Sequence, residues 1–223
     1  MVEESVLELL PFWKELKPDE RELARLHSSI KLSPRGELIH GGEHDCLGFT
    51  YVLDGLARAY LLSEEGREIT LFRMGRGECC VLSASCVMSQ ITFDTFMSAE
   101  RDTRLLIVGS GAVGEIAERN IYLRCFLYEQ ATARFSDVMW ALQNLLFRRY
   151  DQRLAHFLVE EYERSGGAEL RMTQEQLAQN TSSAREVAAR MLKRFSAEGL
   201  VDVSRRGVIK LLDIGGLKKI FAE

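Results

Sequence analysis

A chain of 223 residues is long enough for two modest domains, each able to bury its own core. No apolar run approaches the roughly 18 residues needed to span a bilayer, and the opening MVEESVLELL is acidic rather than signal-like, which predicts a cytoplasmic protein. The net charge of −4 hides an asymmetry: residues 171–223 carry ten basic and six acidic side chains, a net +4, leaving −8 on residues 1–170.

Five cysteines, an odd number, argue against a disulfide framework and for reduced thiols or ligands. The first predicted element is helical, from about Val6 to Ser28. Short strands follow to about residue 110, in runs such as FTYVL, LARAYLL and REITLFRM separated by glycines, the pattern of an antiparallel roll. His40, His44 and Cys46 are ligand-type residues. They straddle a strand end and a glycine turn, where three side chains need not converge, so the metal is left unassigned. Leu105–Val108 followed by Gly109-x-Gly111-x-x-Gly114 has the form of a dinucleotide fingerprint. The second parallel strand and its acid are missing, so the segment reads as the exit from the roll.

A long helix is predicted from about Val113 to Phe147. Tyr128, Ala131, Phe135, Val138, Leu142 and Leu145 recur in steps of three and four, a seam suited to a parallel helix from a second copy.

The most informative segment is TQEQLAQNTSSAREVAARMLKR, Thr173 to Arg194. It predicts two helices with a polar break at Asn180-Thr181-Ser182, each opened by a capping box, Thr173 with Gln176 and Ser183 with Glu186. At about 100° per residue, Ala184, Val187, Ala188, Met191 and Phe195 share one side of the second helix, and Arg185, Glu186, Arg190 and Lys193 share the other. Arginine can grip guanine with paired hydrogen bonds, glutamate can accept from the cytosine amino group, and Ala189 allows close approach. Leu200–Val203 and Val208–Leu211, joined by Ser204-Arg205-Arg206-Gly207, predict a β-hairpin with a basic tip, a wing for the phosphate backbone. Double-stranded DNA is the partner these features imply, with contacts from Thr173, Ser183, Arg185, Glu186, Arg190, Lys193, Arg205 and Arg206. No acid, base and nucleophile constellation converges anywhere, so no enzyme is expected.

The order of roll, long helix and winged helix resembles the CRP/FNR superfamily of bacterial transcription regulators. The stretch LIHGGEHDCLGFTYVLDGLARAYLLSEEGREITLFRMGRGE resembles that family's cyclic-nucleotide-binding barrel, and Arg185-Glu186-Val187-Ala188-Ala189-Arg190 resembles the Arg-Glu-x-x-x-Arg of its cyclic-AMP receptor branch. The resemblance implies an α+β protein with an effector-sensing β-roll (a double-stranded jelly roll) at 1–112, a dimerisation helix and hinge at 113–150, and a winged helix-turn-helix at 151–223. It further implies a homodimer reading a TGTGA-like inverted repeat, with RNA polymerase as partner if it activates.

It places the effector pocket at Gly77, Glu78, Cys79, Cys80, Leu82, Ser83, Ser98, Val138 and Met139. Met97 stands where the cyclic-AMP branch has its phosphate-binding arginine. A nucleotide phosphate would therefore be buried without its cation, which argues against cyclic AMP. Cys79, Cys80 and Cys86 resemble the cysteine region of haem-based carbon-monoxide sensors, but Leu82 occupies the expected histidine position. No cysteine lies in residues 1–45, where an iron–sulfur cluster would need them. The cofactor stays unknown. The signals left open are a small molecule, haem or another metal group, and a thiol switch, which requires an exposed cysteine of depressed pKa.

Overall fold

The computed structural model describes residues 2–41, 47–81 and 95–222. His44, Cys46, Leu82, Ser83 and Cys86 lie outside the described residues.

Two compact units form: Met1–Leu62 with Leu71–Met139, and Ser63–Thr70 with Trp140–Glu223. The first holds two four-stranded sheets. One has the order β1 (Ser28–Ser33), β8 (Thr103–Val108), β3 (Phe49–Asp54), β6 (Cys79–Cys80). The other has β2 (Leu38–His40), β7 (Phe96–Ala99), β4 (Leu56–Leu62), β5 (Glu68–Gly75). The run Leu105–Val108 is apolar throughout because its sheet is covered on both faces: Leu105 and Ile107 join the core between the sheets, while Leu106 and Val108 pack with the helices. β8 runs antiparallel to both β1 and β3, so the glycine-rich segment after it is indeed the exit from a roll. At the β3–β4 turn, Gly55 takes φ +95°, and an added Cβ would meet the Asp102 carbonyl oxygen at 2.3 Å, so only glycine fits.

Two expected helices are subdivided. The N-terminal stretch contains α1 (Glu4–Leu7), a 3₁₀ turn (Trp13–Glu15) and α2 (Pro18–Leu26), and β1 already starts at Ser28. Pro18 begins α2 as the first helical residue, and Glu20 Oε2 accepts from the Lys17 amide at 2.9 Å. The long helix is α3 (Ser110–Arg119) and α4 (Ile121–Phe147), separated at Asn120, which is extended at φ −113°, ψ 105°. The Asn120 side chain caps α4 by accepting from the Leu123 amide at 3.0 Å, and donates to Glu15 O at 3.0 Å and to the buried Glu20 carboxylate at 2.7 Å. A break there exchanges continuous helix for three satisfied polar contacts.

α4 also corrects the expected seam. Ala131 and Val138 turn toward the roll and pack on its cores. The exposed stripe is Ile121, Cys125, Tyr128, Thr132, Phe135, Met139, Leu142 and Leu146, an unbroken alternation of steps of four and three. Leu145 is half-buried beside it.

The second unit is α5 (Tyr150–Ser165), β9 (Glu169–Arg171), α6 (Gln174–Asn180), α7 (Arg185–Ala197), β10 (Val201–Asp202), β11 (Val208–Leu211) and α8 (Ile214–Ala222). Leu154, Leu158, Leu177, Phe195 and Leu217 are fully buried at its centre, each contributing about 1.5–3 kcal/mol by leaving water. The expected hairpin forms, with Val201 opposite Leu211, and β9 pairs on the other edge of β11 as a third strand. No helix among the described residues is long and apolar enough to cross a membrane.

Candidate nucleic-acid interface

α6 starts at a complete capping box. The Gln176 amide donates to Thr173 Oγ1 at 3.1 Å, and the Thr173 amide donates to Gln176 Oε1 at 2.9 Å. The second box does not form. α7 begins at Arg185 with Ala184 as its cap residue and no side-chain capping bond. Ser182 takes a left-handed φ of +50°, and the Ser183 amide is committed to Ala178 O at 2.9 Å. The Ser183 hydroxyl faces Tyr150. The turn is therefore made by a serine in a conformation that glycine adopts more easily.

Within α7, Ala188, Leu192 and Phe195 are buried while Arg185, Glu186, Arg190 and Lys193 are exposed. Among the described residues none of these four, nor Arg205 or Arg206, has an ion-pair partner. Arg194 differs, being held by Glu198 at 2.8 Å and Asp151 at 3.6 Å. A cleft of about 710 Å³ lies between the start of α6, α7 and the wing, and Thr173, Arg185, Arg205 and Arg206 all line it. The cleft thus gathers three guanidiniums, the side-chain type that pairs with phosphate oxygens. Arg190 and Lys193 lie further along the exposed face of α7, outside this lining.

α4 ends at Phe147 and α5 begins at Tyr150, at the end of the stretch where a hinge is expected. Arg149 is extended, the Arg153 guanidinium donates to Arg148 O at 3.3 Å, and the Tyr150 hydroxyl bonds Thr181 Oγ1 at 2.9 Å, tying the start of α5 to the helix-turn-helix. Beside it the His156 ring lies between Trp140 at 5.0 Å and Phe221 at 4.3 Å.

In the roll, Cys79 and Cys80 are buried. Burial pushes the Cys79 thiol up to about 12, so it stays protonated at neutral pH and lacks the exposure and low pKa of a redox sensor. Its Sγ donates to Gln130 Oε1 at 3.2 Å. Glu78 Oε2 accepts from the Gly75 amide at 2.6 Å and so closes the turn before β6, where Gly77 takes φ +89°. Ser98 pairs in register with Leu38 and Arg58, Met97 is in the apolar core, Val138 packs on that core, and Met139 is on the exposed face of α4. His40 is buried, and no cluster of three metal-ligating residues occurs among the described residues.

A Crp-like helix-turn-helix domain matches residues 152–220. Over the whole chain, the crystal structure of a Crp/Fnr-family transcriptional regulator from Eubacterium rectale is 38% identical. The match covers 97% of this chain and 100% of that one, with a TM-score of 0.93. This chain belongs to the CRP/FNR family of transcriptional regulators.

Transcriptional regulator SdrP of Thermus thermophilus is 26% identical over 175 residues, covering 76% of this chain and 81% of that protein. A further CRP/FNR regulator structure from the same bacterium, 23% identical with a TM-score of 0.68 over 87% of this chain and 99% of that one, shares the fold. These relatives are transcriptional regulators, a non-enzymatic class, and this CRP/FNR regulator is a DNA-binding protein. Two features of its architecture escaped the sequence reading. β9 is too short to show an alternating pattern, and a half-buried arginine on α4, Arg134, looks in sequence like any charged helix residue.

Proposed function

We propose that this CRP/FNR regulator is a cytoplasmic homodimer that reads a TGTGA-like inverted repeat, gated by a small effector sensed in the roll. The convergence of Thr173, Arg185, Arg205 and Arg206 on one cleft carries the reading, because it pairs an exposed recognition helix with a cationic wing. Arg185, Glu186 and Arg190 would read base edges. Thr173, Arg205 and Arg206 would hold phosphates, with Lys193 on the same face and Ser183 supporting the turn. The stripe from Ile121 to Leu146 supports a second copy as the occupant of α4. Eight exposed positions in unbroken heptad order, with Phe135 at 64% exposure, form the seam of a parallel coil. A dimer then sets two α7 helices on half-sites about 34 Å apart.

The test is fluorescence anisotropy at fixed salt on a TGTGA inverted repeat and on a scrambled duplex, with sedimentation of the same samples. The reading requires about 1000-fold tighter binding to the repeat. It also requires that Phe135→Glu with Leu142→Glu yield monomers with weakened binding. Equal affinity for both duplexes, or dimers that survive the double substitution, overturns it.

A further inference from the structure

The roll lacks an arginine at the Met97 position, yet it does not lack a cation. Arg134 enters from α4, one turn after Gln130 and one before Val138, on the face of the helix that packs against the roll. Its guanidinium lies 4.7 Å from the centre of the Phe72 ring of β5, and its side chain is 12% exposed. One terminal nitrogen, Nη1, is paired with Asp137 at 2.9 Å, and Nε is buried without a hydrogen-bond partner among the described residues. A guanidinium normally satisfies its buried donors, and the edge containing Nε is one of those that match a carboxylate bidentately. Nearby, the Cys79 thiol occupies the Gln130 carbonyl oxygen, leaving the Gln130 amide hydrogens for another acceptor. The electrostatic influence of Arg134 reaches Cys79, which puts these groups in one neighbourhood.

We propose that Arg134 anchors a small organic anion, a carboxylate on an apolar body, and that this is the class of effector the roll senses. Asp137 pairs with Nη1. The ligand carboxylate takes the Nε edge, Gln130 donates a further hydrogen bond, and Phe72 with Val138 receives the apolar part. This rests on reading the roll as the sensing part of the regulator. It places recognition on the same helix that carries the exposed heptad stripe, so that binding acts directly on α4.

The experiment uses the full chain without DNA, with benzoate and hexanoate as probes, benzamide and hexanamide as neutral controls, and inorganic phosphate as an anion without an apolar body. Thermal shift and calorimetric titration should show saturable binding of the two carboxylates, with the amides and phosphate at least about tenfold weaker. Arg134→Gln should lose the carboxylates by at least about tenfold and Arg134→Lys should keep part of the affinity. Asp137→Asn, which removes the negative charge beside Arg134 and leaves the Nε edge in place, should bind them more tightly, so a poorly folded Arg134 variant would not decide the matter. Binding of the amides as strong as that of the acids, no response to either carboxylate, or weaker binding by Asp137→Asn overturns the proposal. DNA binding is measured separately on the same preparations. Its absence in the wild type would break the DNA reading and leave the anion titration standing.

Discussion

The paired arginines inside the roll and those on the exposed face of α7 and the wing are the same side chain under opposite conditions. In the roll, Arg58 and Arg73 both converge on Glu100, at 3.7 and 2.9 Å, and Arg58 also covers the Tyr60 ring at 4.3 Å. On α7 and the wing, Arg185, Arg190, Arg205 and Arg206 stand in solvent with no ion-pair partner among the described residues. Burial makes pairing obligatory, because an uncompensated charge in a low-dielectric interior costs several kcal/mol. Exposure removes that obligation, so an unpaired surface cation is available to a ligand at little cost to stability. Arg134 combines the two, being largely covered, with Nη1 paired to Asp137 and Nε without a hydrogen-bond partner among the described residues.

The contrast can be broken most sharply at Arg73. Arg73→Met deletes a charged hydrogen bond to Glu100 and should cost about 2–3 kcal/mol in denaturant unfolding while leaving DNA contacts in place. Arg185→Ala should do the reverse: stability changes by under about 0.5 kcal/mol, whereas affinity for the inverted repeat falls by about 1–3 kcal/mol with relaxed specificity. Uniform weakening on every duplex would make Arg185 a phosphate contact. At the wing, Arg205→Ala or Arg206→Ala should weaken binding equally across sequences and lower the salt slope by about 1, read from affinity against salt concentration. A smaller effect is expected at the turn, where Ser182→Gly relieves the positive φ and should stabilise the protein by about 0.5–1 kcal/mol in the same unfolding assay.

The smallest effect involves a histidine, His156. Burial lowers its pKa from the ordinary 6.5, Glu160 and Glu163 oppose that, and Arg148 adds to it. The unfolded chain therefore takes up this proton first. The contribution to stability is intact above pH 6.5 and is lost as pH falls toward the folded value. Thermal unfolding should show a decline below that pH which His156→Phe flattens; an equal decline in both would place the titrating group elsewhere.

The helix-turn-helix and wing were legible residue by residue because their signals are local. The Thr173 box, the buried positions Ala188 and Phe195, and Gly207 at the wing tip, at φ +75°, each follow from side chains within a few positions. Ser183 misled for the same reason: a Ser-x-x-Glu spacing predicts a cap, but the left-handed Ser182 moves the helix start one residue onward. α4 was harder to read because it has two apolar faces. Ala131 with Val138 and Phe135 with Leu142 both recur at heptad spacing, and periodicity cannot say which pair meets the roll.

What the sequence by itself determined is therefore the helix-turn-helix with its wing, the exposed basic face and the family, since those depend on spacing along the chain. Only the tertiary structure decided that Asn120 interrupts the long helix, that Cys79 is sealed and protonated, and that Arg134 is drawn against Phe72 with one donor unspent. The physical reason is that burial, and the polar satisfaction it demands, is set by segments distant in sequence that meet in space.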